Sequence, residues 1–400
     1  MSRVVHSIQQ LSMIGIAFFL PFHMTFVYPF FLSVILSEIF SKNFIQRQKT
    51  MLSSPLVLSF VLFFFIHLIG LIWTTNLQEG LANVNRAIPF LLFGYLWLAA
   101  KYEKRDQYMV AFILGLVSCS LLAHYNLLHS NYPDYLIEGI VSGKRNGAET
   151  SPFLSHLNYA PILSLGIYFL LWSLLKNISN IKELIIKSLL TILLFSNLIF
   201  STGRAGFLML IALIIALVVE HSRNLRIATL KLLVLIPLGI ISVYFLSDSV
   251  KNRVDEGIKD VQTFSENPNS SVGLRYVFAI HSFDLFKENP VFGVGTGDLK
   301  DEYKNIIRAG YENLVVPNNP HNQFLMTGST LGLFGLIILF LMFFLSFKFS
   351  DSRGKALVVG FLSICLVESY LWRSNTSMVF IYFISIYSQR ESFLFSSTKK

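Results

Sequence analysis

Apolar runs, each close to the length of a bilayer crossing, follow one another through most of this 400-residue chain. The hydrocarbon core of a membrane takes about 20 such residues per helix. By that measure there are twelve runs, at approximately 7–21, 24–40, 55–74, 85–100, 107–124, 157–175, 183–200, 204–220, 227–246, 326–347, 355–372 and 375–388. One long polar segment, Ser247 to Leu325, interrupts them. The chain therefore divides into residues 1–246 with nine predicted spans, a large loop at 247–325, and residues 326–400 with three more spans and a tail. The expected fold is an all-α integral membrane protein.

Composition supports that reading. Apolar residues are 54% of the chain and charged residues 14%, against roughly a quarter charged in soluble domains. The net charge of +9 does not point to nucleic acid, because no basic run is interleaved with exposed aromatics. Cys119 and Cys365 both sit inside apolar runs and read as small buried thiols. No Cys/His pattern has zinc spacing, so no metal site is expected. The first apolar run lacks a small-residue cleavage site and reads as a retained helix.

Lysine and arginine in short connections orient a membrane protein, with the positive side inside. Of 32 basic residues, 19 fall at the termini and the even-numbered connections, for example Lys42, Arg47 and Lys49, or Lys348, Arg353 and Lys355. The short connections on the other side carry almost none. Both termini are expected in the cytoplasm. The large loop and a smaller one from Tyr125 to His156 then face outward.

Three outward-side arginines stand at membrane boundaries: Arg86, Arg204 and Arg373. Arg86 and Arg204 read as first-turn residues of helices entering from outside. Helix N-termini favour anions, so a cation there suggests an anionic guest. Arg204 lies in FSTGRAGFLML. Ser201 or Thr202 could cap that helix, and Gly203 and Gly206 permit close backbone approach, the makings of a phosphate cradle. Any one of these arginines could instead snorkel to the interface. Glu368, near the outer end of the eleventh run, is placed to pair with one of them.

Within the large loop, Ser270 or Ser271 caps a predicted helix from Val272 to Lys287, ended by Asn289-Pro290. Leu274, Val277, Phe278, His281 and Leu285 share one face, with Arg275 beside it. The helix is too short and too polar to span and fits the membrane surface or the bundle. Gly293 to Gly297 (GVGTG) lacks the strand–loop–helix setting of a phosphate loop and reads as a tight turn. Then comes NNPHN, with His321 and Asn322 at the start of the tenth run. A neutral imidazole there can take a proton near neutral pH.

STGRAG, the block GLRYVFAIHSFDLFKENPVFGVGTGDL, and PHNQFLMTGSTLGLFGLIILF together resemble the O-antigen ligase and polymerase superfamily of bacterial envelope glycosyltransferases. The resemblance runs from Phe200 to about Leu345. It implies a GT-C-like fold in the bacterial inner membrane, with the active site facing the periplasm. It also implies metal-independent, inverting transfer of a glycan from undecaprenyl diphosphate, in ligases to a sugar hydroxyl of the lipid A core. No cofactor is implied, and no nucleic acid. By motif, Arg204 and Arg275 would hold the diphosphate and His321 would deprotonate the acceptor. Arg86 joins the diphosphate set by position; Asn322, Glu368 and Arg373 are supporting residues. The large loop shows no Asp-x-Asp pattern, in keeping with arginines stabilising the departing charge. Ligase is the leading reading and polymerase its nearest rival. A twelve-span transporter would show repeated halves and midplane polar groups, and a non-catalytic scaffold would have no need of His321.

Overall fold

The computed structural model describes residues 2–128, 135–137, 141–142, 151–176, 178–201, 203–222, 224–246, 248–262, 270–308 and 319–388. Most of the Tyr125–His156 loop, parts of the large loop, and the basic residues Arg223, Arg390, Lys399 and Lys400 lie outside them.

The described chain is helical apart from a short antiparallel ribbon, Tyr135–Ile137 with Val141–Ser142. Seventeen α-helices follow in order. The first seven are α1 (Ser2–Phe19), α2 (Met24–Ile39), α3 (Phe44–Leu52), α4 (Pro55–Ile69), α5 (Leu77–Leu91), α6 (Phe93–Ala99) and α7 (Arg105–Leu128). After the ribbon come α8 (His156–Lys176), α9 (Ile181–Phe200), α10 (Arg204–His221) and α11 (Leu225–Leu246). The large loop contributes α12 (Asp248–Gln262), α13 (Ser271–Glu288) and α14 (Leu299–Arg308). The last three are α15 (Gln323–Phe349), α16 (Ser352–Cys365) and α17 (Ser374–Tyr387).

Polar residues just ahead of apolar runs start these helices. Ser54 Oγ accepts from Val57 N at 3.2 Å with Pro55 in the first turn of α4, and Asn76 Oδ1 accepts from Glu79 N at 3.2 Å to begin α5. Asp351 Oδ1 accepts from Arg353 N and Gly354 N at 3.0 and 3.1 Å to begin α16. Each cap satisfies backbone donors that no earlier turn can reach. α17 is buried on every side from Thr376 to Tyr387. A helix that is apolar all round belongs in the middle of a bundle, and α5, α6, α8 and α16 pack around it.

Helices stand at all twelve predicted runs, but not all as full spans. Among the described residues, five helices are long and apolar enough to cross a membrane, or six if the bent pair α2 and α3 counts as one. The count of twelve exceeded this for local reasons. The run at 85–100 breaks at Leu92, between α5 and α6. The eleventh run ends at Cys365, so α16 and α17 have only 14 residues each.

The end of the bundle carrying Lys348 is braced by buried charge. Arg353, 1% exposed, donates to Asp106 Oδ1 at 2.6 Å and lies between the rings of Trp172 and Tyr387. Glu38, fully buried, takes Arg47 at 2.5 and 2.8 Å and Gln9 Nε2 at 2.9 Å. α15 runs from there to the opposite end, where His321 and Glu368 stand.

α15 is broken at Gly332, with φ 63° and ψ −157°. The break is filled by the turn after α13. Val294 N and Gly295 N donate to Ser329 O and Thr330 O at 2.8 and 3.0 Å, and Leu333 N donates to Pro290 O at 2.8 Å. Backbone groups freed by the kink thus find partners where lipid offers none. A Cβ on Gly332 would sit 2.3 Å from Val291 O, and one on Gly293 2.4 Å from the Thr330 backbone. The turn is anchored at its far end too. Asp298, 3% exposed, accepts from Thr75 N at 2.9 Å, Thr75 Oγ1 at 3.1 Å and Asn76 N at 2.7 Å. Residues 290–298 therefore bind the loop to α15 and to the connection between α4 and α5. GVGTG is a turn, as its setting predicted, and its glycines serve this close packing.

Candidate active site

α13 begins where the sequence placed it, with Ser270 Oγ accepting from Gly273 N at 3.1 Å. Its Phe278 and Leu285 are buried against Leu299, Tyr303 and Met326, which lays the helix across the first turns of α15. Immediately before α15, Asn322 Oδ1 caps it by accepting from Phe324 N and Leu325 N at 2.9 and 3.0 Å. Asn322 Nδ2 donates to Leu366 O at 2.9 Å, tying this N-terminus to the turn that follows α16.

His321 sits at the top of that junction. Its φ is 53°, a left-handed conformation rare for a residue with a side chain. Asn319 Oδ1 holds it by accepting from His321 N at 2.8 Å. The imidazole lies alongside Phe278, with ring centroids 6.3 Å apart. Its Nδ1 is 2.8 Å from Glu368 Oε2. A carboxylate only accepts, so the neutral ring donates Nδ1–H and carries its lone pair on Nε2.

Glu368 is 2% exposed and stands in the turn between α16 and α17, past the observed helix end at Cys365 and not inside the helix as expected. Its Oε2 also takes Arg373 Nη2 at 3.1 Å, and Oε1 accepts from Ser369 N at 2.9 Å. Burial by itself would raise this carboxyl. The hydrogen bond from His321 and the charge of Arg373 outweigh it and bring the pKa down to about 2. Glu368 is thus a permanent anion holding an imidazole on one side and a guanidinium on the other.

The remaining predicted arginines take different places. Arg86 is in the third turn of α5, not the first, because Asn76 starts that helix well before it. Arg86 donates to Asn83 Oδ1 at 2.5 Å and Glu79 Oε1 at 3.3 Å, and stacks on Trp372 at 4.3 Å. Burial and the Glu368 charge push the Tyr370 phenol up, against the pull of Arg373 and, more weakly, of Arg275. Arg86 and Arg373 therefore meet at residues 368–373, on Trp372 and Glu368, and the charge of Arg275 is felt weakly at Tyr370.

Arg204 stands apart. It is the first residue of α10, as predicted, but its cap is Gly203 with no side-chain bond. Ser201 Oγ instead donates to Leu198 O at 2.9 Å, and Thr202 lies outside the described residues. Gly203 and Gly206 face Ala160 of α8, and Ser164 Oγ donates to Gly206 O at 2.7 Å. The glycines read as a phosphate cradle serve helix packing here. Arg204 Nη2 lies 4.0 Å from Glu256 Oε2 on α12. The start of α8 links it to the cluster: a Cβ on Gly203 would lie 2.9 Å from His156 O, and Tyr370 Oη donates to Leu157 O at 3.1 Å.

Residues 189–340 match the family model described as O-Antigen ligase. That stretch of the chain is similar to the O-antigen ligase family. No curated protein matches the chain. The matched stretch runs from within α9 to the second half of α15, close to the stretch whose motifs suggested it. Arg204, Arg275, His321 and Asn322 fall inside it, whereas Arg86, Glu368 and Arg373 come from flanking helices and turns.

Sequence reading passed over several groups around this histidine. Asn319 stood in the quoted NNPHN motif without a role. Trp372 was visible only as the last residue of the eleventh run. Gln323, 3% exposed, accepts from Leu371 N at 2.9 Å, locking the residues after His321 to the turn of Glu368. A buried amide at the first position of an apolar helix was the available signal.

Proposed function

We propose that this protein is an O-antigen ligase, a glycosyltransferase moving a glycan from undecaprenyl diphosphate to a sugar hydroxyl of the lipid A core at the periplasmic face of the inner membrane. The observation that carries the reading is the Glu368–His321 pair at the edge of the matched stretch, with arginines around it.

Glu368 fixes the imidazole with Nε2 as the acceptor, an arrangement suited to a general base. His321 Nε2 takes the proton of the acceptor hydroxyl. The oxygen attacks the anomeric carbon from the face opposite the diphosphate. The new C–O bond forms as the anomeric C–O bond to phosphate breaks, and the electron pair leaves with undecaprenyl diphosphate. One displacement inverts the anomeric configuration. The imidazolium so formed is stabilised by the Glu368 charge.

The departing diphosphate carries the developing negative charge, which is where guanidinium groups contribute most. Arg275 and Arg204 take this role, assisted by Arg86, while Arg373 keeps Glu368 ionised and oriented. Asn322 sets the start of α15 and with it the position of His321. All of this requires no metal. The sidedness follows from the lysine-rich connections, which lie at the other end of the bundle, with both termini in the cytoplasm and about twelve helices in the membrane domain.

The test is transfer by purified, reconstituted protein supplied with lipid-linked donor and core acceptor, with and without chelator. His321→Ala should lower turnover by about 100-fold or more at unchanged protein level, and chelator should have no effect. Wild-type turnover in the His321→Ala protein would defeat the assignment. Elongated donor glycan in place of glycosylated core would make the enzyme a polymerase.

A further inference from the structure

Two helices gauge how deep the turn after α13 lies. From Lys348, α15 climbs to its break at Gly332, a rise of about 24 Å. α4 climbs beside it from the Ser54 cap to Gly70, also a rise of about 24 Å. The two run together: Phe60 and Phe343 both pack on Phe380, with ring centroids 6.1 and 5.4 Å away. At the top, a Cβ on Gly70 would lie 2.9 Å from Leu331. The turn rests on both upper ends. Pro290 O accepts from Leu333 N at 2.8 Å, and Thr296 Oγ1 donates to His67 O at 2.7 Å. A hydrocarbon core about 30 Å thick leaves the turn roughly 6 Å inside its far boundary. Tilt in either helix sets it deeper.

The chain goes down to this level and comes back. Phe278 of α13 lies beside His321, the Phe286 ring is 3.5 Å from where a Cβ on Gly328 would stand, and Pro290 meets Leu333. Successive residues of α13 thus meet successively deeper residues of α15. Beyond the turn α14 climbs again, and Tyr303 Oη donates to Phe278 O at 3.4 Å. We infer that α13, the turn and α14 form a re-entrant hairpin whose tip enters the hydrocarbon of the leaflet on the His321 side and touches acyl chains through Val291 and Phe292.

The tip is built for that solvent. Each backbone N–H from Gly293 to Gly297 donates, in order to Asn289 O, Ser329 O, Thr330 O, Gly70 O and Thr74 Oγ1. Irregular backbone survives at membrane depth only when enclosed in this way. The large side chains left exposed here are apolar: Val291 and Phe292 at the tip, Ile72 beside Trp73, and Leu333 and Phe334 on α15. Phe292 stacks on Phe334 at 5.6 Å and leans on Trp73 at 5.5 Å. In water such a patch would invite association. Here it continues the exposed apolar face of α15 at Ile337, Phe340 and Phe344, which acyl chains cover along a membrane span.

Higher up, α13 turns Tyr276, Ile280 and Phe283 outward at helical spacing. The tyrosine is the shallowest of the three, level with the headgroups where such rings gather. Lys287 and Glu288 fall at about the core boundary. The lysine ammonium bends back over Phe283, 4.6 Å from its ring centroid, away from the tip.

Spin labels on the full-length protein in phosphatidylcholine nanodiscs measure this depth. Val291→Cys and Tyr276→Cys each carry a nitroxide, and Ile337→Cys gives the acyl-chain reference; the native cysteines are buried. Power saturation compares oxygen, which concentrates among acyl chains, with a water-soluble nickel chelate. The oxygen-to-nickel ratio at position 291 should match that at 337 and exceed that at 276 several-fold. Thermal melting checks that each variant folds, and Phe292→Cys decides if Val291→Cys does not. Nickel access at the tip equal to that at 276 would place the turn in water and overturn the hairpin. A tip reached by neither reagent would mean that protein, such as a second copy of this chain, covers it, and would overturn the acyl-chain contact.

Discussion

At the scale of single residues, the site depends on one buried carboxylate. Glu368 accepts from His321, Arg373 and Ser369 N, and these contacts keep it ionised. Its pKa is depressed when folded, so the stability it contributes is complete above about 4.5 and is lost as the pH falls towards about 2. Thermal melting in detergent should therefore show a loss of stability across that window, and Glu368→Gln should flatten it. The same substitution removes the charge opposite the imidazolium. Its turnover should fall by about 100-fold with acceptor saturation little changed, measured in the reconstituted assay. A turnover within the wild-type range would reduce Glu368 to a packing residue. The histidine was legible in the sequence because it stands at the very start of an apolar run. Glu368 was legible as an ionisable group at the end of an apolar run. Their contact was not, since it joins positions 47 residues apart. Arg204 shows the opposite case. The pattern of glycines around it is consistent both with a phosphate and with a neighbouring helix, and nothing local reveals that Ala160 is the neighbour.

At the scale of elements, the break in α15 organises the site. The upper segment, Gln323 to Leu331, takes its own course to the histidine because the helix breaks at Gly332. The φ and ψ there belong to a region that only glycine occupies readily. Gly332→Ala should cost about 3 kcal/mol or more from backbone strain and the clash with Val291 O, lowering the melting temperature in detergent by several degrees and lowering turnover with it. An unchanged melting temperature would show that the kink is not needed. Sequence reading marked the glycine-rich start of this helix but carried it straight through, because apolar periodicity continues unbroken across the kink. It also drew α16 past Cys365 and began the fourth run at residue 85. Hydropathy does not record where a helix leaves its axis, nor that the polar NLQEGLANVNR segment opens α5 from Asn76.

At the scale of the whole molecule, the two ends of the bundle differ in kind. One is braced by ion pairs with one partner buried, such as Arg353 with Asp106; the other sets arginines near a half-buried imidazole. Sidedness can be read with impermeant maleimide on spheroplasts, since Cys119 and Cys365 are buried and silent. Glu288→Cys, exposed at the end of α13, should label from outside, and Lys348→Cys only after permeabilisation. The reverse pattern would invert the proposed topology. The all-helical class and the loop helix α13 could be read from spacing alone, while the number of full crossings could not, because short buried helices such as α17 are as greasy as long ones. The Pro290–Gly295 stitch also bears on how the chain is made. The residues that repair the broken helix precede it in the chain, so they have left the ribosome before that helix has emerged. Insertion of α15 and seating of the preceding turn can then be one event, and a protein caught between them would expose bare amides to lipid.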